Sequence, residues 1–271
     1  LDEILAQRGP RDLHLMTAKG DLHVRVTRKG RVTATRSAEM DRVVTVQPHD
    51  RVKKTPLTSF DSAALLRVIG LTDGEGRVRA SMRGKYDQVN EFLKVVEDVL
   101  KEEKPDGTFT VVDCGCGKAY LTLALYFFLT RTLGFAAVKV VGVDRRQDVV
   151  DAAAKMAQQL DCGDGAAFVK SDLGDFDLKS VGAARADMVI SLHACDTATD
   201  EALAKGVEWK ARFIVSAPCC QHELQKSIGP ASSEAFAGVL RHGILRERLC
   251  DILTDSFRAM ILRILGFKTQ V

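Results

Sequence analysis

The sequence predicts an α/β protein: a mostly parallel, doubly wound sheet with helices on both faces, preceded by a small α+β unit. Two observations predict it. Strand-like runs at 109–113, 138–144, 167–171, 187–192 and 213–217 are each separated by room for a helix, and parallel neighbours require such crossovers. Ahead of residue 85 the pattern is instead one of short alternating runs around glycine turns, the mark of hairpins. With 271 residues, 46% of them hydrophobic, the chain can bury an ordinary core plus a smaller accessory one. The predicted division is an accessory unit over 1–85 and the large sheet over 86–271.

In chain order, 21–27 and 31–35 flank Arg28-Lys29-Gly30 as the arms of a hairpin, 43–46 adds a strand, and 62–69 reads as a short helix. From Asp87 onward Val89, Phe92, Leu93, Val96, Val99 and Leu100 recur at helical spacing, with Glu91, Lys94, Glu97, Asp98 and Lys101 between them. That is an amphipathic helix, ended by the turn Lys104-Pro105-Asp106-Gly107. The last helix is expected over 245–265, with Gly266 as its C-terminal cap and 267–271 as the opening of a further strand.

The net charge of +3 does not by itself announce a polyanion partner, because distribution matters more than total. Between Leu1 and Phe60 there are twelve Lys/Arg against seven Asp/Glu, so the basic bias sits at the front. The longest apolar stretch, 121–129, is interrupted by Thr122 and is too short to span a bilayer. A soluble, cytoplasmic chain without membrane association is expected. Its seven cysteines follow no disulfide-framework spacing and read as reduced thiols.

In a doubly wound sheet, ligands bind at the carboxyl ends of the strands where the winding reverses. The run Val111-Val112-Asp113-Cys114-Gly115-Cys116-Gly117-Lys118 has the form of that first strand and turn. Gly115 and Gly117 let backbone approach a ligand closely, and Asp113 is placed to orient the ligand's amino-acid end. A dinucleotide motif continues to a third glycine, where this chain has Tyr120, so dinucleotide binding is disfavoured. The second strand ends at Asp144, an acid able to accept both hydroxyls of an adenosine ribose, with Arg145 after it. The third ends in Asp172-Leu173, where the acid can meet the adenine amine. Taken singly, each acid reads equally as a helix cap or solvated loop residue; together they outline an adenosyl-ligand site. Acid-rich walls suit the positive sulfonium of S-adenosylmethionine.

The fourth and fifth strands run into Ser191-Leu-His193-Ala-Cys195-Asp196-Thr-Ala-Thr199-Asp200 and Ala217-Pro-Cys219-Cys220-Gln-His222. Through these residues and Asp113-x-Gly-x-Gly-Lys118, the region from about Lys85 to Val271 resembles a class I S-adenosylmethionine-dependent methyltransferase family. That family includes the eukaryotic acceptor-stem tRNA 2′-O-methyltransferase and related methyltransferase-like proteins. The N-terminal unit is more similar to bacterial members, in His49-Asp50-Arg51-Val52-Lys53 and Lys85-Tyr86-Asp87-Gln88. The resemblance implies a Rossmann-like class I sheet, S-adenosylmethionine as cofactor, and a cofactor set of Asp113, Gly115, Gly117, Lys118, Asp144, Arg145, Asp172, Leu173 and His193. Such a sheet ordinarily closes with an antiparallel pair after the last helix, so either the sequence stops short of it or the edge is completed otherwise.

Strands four and five of such a sheet are expected beside the first, bringing His193, Cys195, Asp196, Cys219, Cys220 and His222 near the transferable methyl. Methyl transfer is an in-line displacement governed by positioning, and a hydroxyl acceptor also needs a base. His193 is the candidate for that role, tuned by Asp196, with His222 second and Cys219 beside them. The same residues also read as strand-end histidines and thiols filling a core. A zinc site is disfavoured because no Cys-x-x-Cys pair occurs and adjacent Cys219 and Cys220 point apart in extended chain. The fourth strand is followed by Ser-Leu-His-Ala-Cys instead of the Asn/Asp-Pro-Pro-Tyr/Phe loop that stacks planar nitrogen acceptors, which favours a ribose hydroxyl or another acceptor.

The expected function is methylation of RNA, tRNA or rRNA, docked through Arg25, Arg28, Lys29, Arg31, Arg51, Lys53 and Lys54. A solvated hairpin accounts for the same charges. Methylation of a protein or small molecule is a second reading, and a catalytically silent cofactor-binding module a third.

Overall fold

The computed structural model describes residues 12–15, 20–27, 30–36, 55–192, 194–219, 221–229 and 232–271. The chain divides into two compact units, Leu1–Lys53 and Lys54–Val271.

The first unit is a three-stranded antiparallel sheet of β1 (Asp12–Leu15), β2 (Leu22–Val26) and β3 (Val32–Arg36), in that order. Val26 faces Val32 across the expected hairpin. Gly30, at φ +79°, closes the turn by donating its N–H to the Thr27 carbonyl, a backbone conformation that favours glycine. Every residue of β3 is exposed, and β2 alternates between half-buried and exposed. The strand expected at 43–46 lies outside the described residues.

The second unit is built on a five-stranded sheet. Its strands are β4 (Thr108–Cys114), β5 (Ala137–Asp144), β6 (Ala166–Lys170), β7 (Met188–Ser191) and β8 (Phe213–Ser216), and every pairing is parallel in the order β6-β5-β4-β7-β8. This is the Rossmann-like arrangement, wound outward in both directions from β4. The fourth strand of the sheet adjoins the first as expected, while the fifth is one place further out. The helices are α1 (Ala63–Val68), α2 (Arg83–Leu100), α3 (Tyr120–Phe127), α4 (Gln147–Gln159), α5 (Thr197–Glu208), α6 (Glu223–Ser227), α7 (Ala237–Leu240) and α8 (Gly243–Ile264).

Alternation along the strands builds two cores, because successive side chains of a strand point to opposite faces. Val111, Val140 and Met188 join Val89, Phe92, Leu93 and Leu123 on one face. Their neighbours Val112, Val141 and Val189 join Leu173, Phe176, Ala202 and Trp209 on the other. Truncating a fully buried leucine such as Leu93 or Leu123 costs about 2–5 kcal/mol.

The compact division falls at 53/54, ahead of the 85/86 boundary expected from sequence. Leu57, Leu65, Leu66, Ile69 and Leu71 belong to the same buried cluster as α2 and α3. Asn90, itself buried, fastens this segment to α2: its side-chain carbonyl accepts from the Leu57 N–H at 3.0 Å and its amide donates to the Tyr86 carbonyl at 3.0 Å. Residues 55–82 thus pack on the large sheet. At the other end, α8 stops where Gly266 turns to φ +93°, and residues 267–271, expected to open a strand, take no regular structure.

Candidate active site

At the carboxyl end of β4 the chain turns sharply, and three residues take up left-handed backbone: Gly115 (φ +79°), Gly117 (φ +51°) and Ala119 (φ +56°). The turn is strapped over the end of β5. The N–H groups of Gly115 and Cys116 donate to the Val143 carbonyl at 2.9 and 3.0 Å, and that of Gly117 donates to the Asp144 carboxylate at 3.0 Å. Its other carboxylate oxygen accepts from the Arg146 N–H at 3.0 Å. Each oxygen of a carboxylate accepts more than one hydrogen bond, so these contacts fix Asp144 in place while leaving it capacity to accept from a ligand.

Asp113, only 2% exposed, is held by Thr122 of the first turn of α3, whose hydroxyl donates to it at 2.5 Å. Burial pushes its carboxyl up to about 7; the Thr122 hydrogen bond opposes this and the nearby Asp144 charge adds to it. A cationic group placed beside Asp113 would reverse part of that shift.

A second glycine matter was not legible in the sequence. A Cβ at Gly142 would lie 2.6 Å from the Phe168 ring and 2.9 Å from Cys116 Sγ, so β5 must be bare there for the turn and β6 to close on it. Beside Gly115, by contrast, a Cβ would meet only Ala194 at ordinary distance, 3.8 Å. Gly115 is required by its conformation, Gly142 by space.

The turn forms one wall of a cleft of about 580 Å³, within the size range of small-molecule sites. Asp113, Gly115, Cys116, Gly117 and Lys118 line it from β4, Tyr120 and Leu121 from α3, Arg146 from the end of β5 and Leu192 from the end of β7; Ser81, Met82, Lys85 and Val89 close it from α2 and its approach. Among the predicted cofactor residues, Asp113, Gly115, Gly117 and Lys118 therefore converge on one cavity, with Asp144 bonded to its wall. Arg145 and Asp172 are not among the residues lining it; both are exposed and paired with each other at 3.7 Å. Leu173 is buried among Phe176, Leu178 and Ala183 in the core on one face of the sheet. His193 and Cys220 lie outside the described residues.

Beyond β7 and β8 the two loops meet. Cys195 and Cys219 bring their Sγ atoms to 3.3 Å. Asp196, at φ +56° at the N-terminus of α5, accepts from the N–H groups of His222 and Glu223 at 3.1 and 2.9 Å. Partial burial raises its carboxyl, but those two N–H groups and the Lys226 ammonium outweigh it and hold the group below its ordinary value. Asp196 therefore fastens the loop after β8, and the His222 side chain is exposed at the start of α6.

Sequence reasoning missed the residue that locks these loops from behind. Arg258 of α8, its side chain only 10% exposed, grips Asp200 with two donors at 2.6 and 3.0 Å, and also donates to Gln221 at 2.5 Å and the Asp196 carbonyl at 3.1 Å. A planar guanidinium suits such a fork. Its one sequence signal is an arginine within the apolar spacing of α8.

Among the described residues no three of His, Cys, Asp or Glu are grouped to hold a metal ion, and no helix is long and apolar enough to cross a membrane.

The family model described as a methyltransferase domain matches residues 84–227, just over half of the chain. The chain belongs to that methyltransferase family. The matched span runs from the start of α2 to the end of α6 and so takes in every wall of the cleft except Ser81 and Met82. No curated protein sequence matches significantly. Among solved structures, the chain is similar to magnesium protoporphyrin IX methyltransferase from Synechocystis PCC 6803 with bound SAH, at 21% identity and a TM-score of 0.34 over 52% of this chain and 57% of that one. It is also similar to coclaurine N-methyltransferase bound to N-methylheliamine and SAH, at 14% identity and a TM-score of 0.32 over 44% of this chain and 33% of that one. The chain spans less than two thirds of the length of either.

Proposed function

We propose that this domain binds S-adenosylmethionine in the cleft at the end of β4 and transfers its methyl group to RNA. One observation carries the cofactor reading: the strapped turn gathers the buried acid Asp113, the fixed acid Asp144 and the bare backbone of Gly115 and Gly117 at one cleft, where an adenosine and a cationic amino acid would both find acceptors. When bound, the cofactor supplies an electrophilic methyl on a sulfonium. Asp144 accepts from the ribose hydroxyls, Asp113 faces the ammonium of the amino-acid end, and Gly115 and Gly117 keep the passage between them clear of side chains.

Arg258 and Asp196 fasten the loops after β7 and β8 to each other, and the first of them begins at Leu192 in the wall of the cleft. RNA is favoured as acceptor by the family resemblance and by the basic N-terminal unit, whose Arg25 and Arg31 are exposed on the described hairpin. Arg28, Lys29, Arg51, Lys53 and Lys54, the other residues expected to dock phosphate, lie outside the described residues, as does His193, the proposed base.

Calorimetric titration of the full chain with S-adenosylmethionine and, in parallel, NAD tests the cofactor. Binding of the first alone, abolished or strongly weakened in Asp144→Ala, is expected; tight binding of NAD with no heat from S-adenosylmethionine refutes the reading. Incubating extract with methyl-labelled cofactor tests the acceptor. Label lost to nuclease and retained through protease treatment is the expected result, and the reverse assigns a protein acceptor.

A further inference from the structure

The cleft also holds a half-buried cation. Lys85 sits in the first turn of α2 and lines the same cleft as Asp113 and Gly115. Its position along the cleft follows from strand order. Asp144 ends β5 and Arg146 follows it, on one side of β4; Cys219 follows β8, on the other side beyond β7. The helix that carries Lys85, α2, packs against β8. Lys85 therefore stands on the β7 side of the turn and Asp144 on the β5 side, with Gly115 and Gly117 between them. A molecule whose ribose engaged Asp144 would extend its opposite end toward Lys85.

The chemistry at that end is complementary. Burial lowers the Lys85 ammonium from its ordinary value, the sign of a cation that has lost water and gains from a nearby anion. One of its N–H donors reaches the Gln88 side-chain carbonyl at 2.6 Å, which aims the ammonium from the helix. Lys118 and Arg146, the other cations of the cavity wall, are exposed, and Arg146 lies 3.9 Å from Asp144, at the ribose end. An amino acid carries an ammonium and a carboxylate on one carbon. Asp113 and Lys85, an acid and a cation lining one cleft, match that pair.

We infer that Lys85 binds the α-carboxylate of S-adenosylmethionine and, with Asp113, reads the zwitterionic head that separates this cofactor from other adenosine derivatives. The inference rests on the proposed cofactor and goes beyond it, to the residue that selects the cofactor's far end.

The test is a four-way titration of the full chain: wild type and Lys85→Met, each with S-adenosylmethionine and with decarboxylated S-adenosylmethionine, which keeps the adenosine, sulfonium and amine. A hydrogen-bonded ion pair of this kind corresponds to roughly a 10- to 100-fold change in affinity. Wild type should lose that factor when the carboxylate is removed, and Lys85→Met should lose it on the intact cofactor while binding both compounds equally. Lys85→Arg should restore part of the preference. Losses that simply multiply, so that Lys85→Met still prefers the carboxylate as strongly as wild type, overturn the assignment, because a merely structural lysine weakens both compounds alike. The wild-type pair alone decides if the variant fails to fold: equal affinity for the two compounds excludes any carboxylate contact. Wild type that binds neither compound refutes the cofactor reading itself, a result distinct from failure of the Lys85 assignment.

Discussion

A carboxyl group sealed under a strand-end turn, as Asp113 is, makes the domain's stability depend on pH in an uncommon direction. The folded group titrates at about 7 against an ordinary 3.8, so the folded state holds a proton that the unfolded state has released between those values. Its contribution is fully present below about pH 4 and is lost as pH rises through about 7, an effect on the order of 4 kcal/mol. Asp113→Asn keeps the shape and the Thr122 hydrogen bond without the charge. The difference in unfolding free energy between the variant and wild type, from urea melts at pH 5 to 8, should grow in the variant's favour across that range and level off above it. A difference independent of pH would show that Asp113 is ionised in the fold. The same titration links to binding: a cationic ligand favours the carboxylate, so affinity for S-adenosylmethionine should strengthen as pH rises toward 7.

Much of the site at this scale could be read from the sequence, because it is local. Asp113, Gly115 and Gly117 are contiguous with the strand that presents them, and Asp144 ends the next. Gly142 and Arg258 were not legible, since one is glycine on account of Phe168 and the other is buried on account of Asp200 and Gln221, partners supplied by distant segments. Lys85 was noted in a motif without a role for the same reason.

Between elements, the decisive joint is the one Arg258 makes. It connects α8 to the start of α5 and to the loop after β8, which are otherwise held together by the Asp196 bonds to His222 and Glu223. Replacing it with Met keeps most of the stem's packing but strands Asp200, Gln221 and the Asp196 carbonyl. Because Asp200 is half exposed, at 52%, water recovers part of the loss, and a destabilisation of about 2–3 kcal/mol is expected. Arg258→Lys should fall between, retaining charge without the fork. Urea melts of the two variants check the order; a loss below about 0.5 kcal/mol in Arg258→Met would place this joint among solvated surface pairs. Elements themselves were largely evident beforehand: buried parallel strands are continuous apolar runs, and all five were placed to within two residues. Two exceptions are β1, whose Asp-Leu-His-Leu is too short and too exposed to carry a pattern, and 267–271, expected to open a strand and found without regular structure.

At the scale of the molecule, sequence placed the unit boundary some thirty residues late, since turn-rich segments such as 55–82 look alike whether they pack on a small sheet or a large one. Only the burial of Leu57, Leu65 and Leu71 against α2 distinguishes the cases. The consequence concerns where cofactor binding resides. Every residue lining the cleft, both hydrophobic cores and the Arg258 joint lie within 54–271, so a fragment spanning 54–271 should fold cooperatively and bind S-adenosylmethionine within about threefold of the full chain, a change under roughly 0.7 kcal/mol. A fragment starting at 86 should instead lose the leucines that cover α2 and the Ser81 and Met82 wall of the cleft. Several buried leucines at about 2 kcal/mol or more each exceed the whole stability of an ordinary domain, so that shorter fragment should be insoluble or molten. If RNA is the acceptor, the 54–271 fragment should also lose most of the salt dependence of RNA binding while keeping its cofactor affinity, because the slope counts phosphate contacts. Equal slopes for the fragment and the full chain would move the RNA contacts off the basic N-terminal unit and onto the methyltransferase domain.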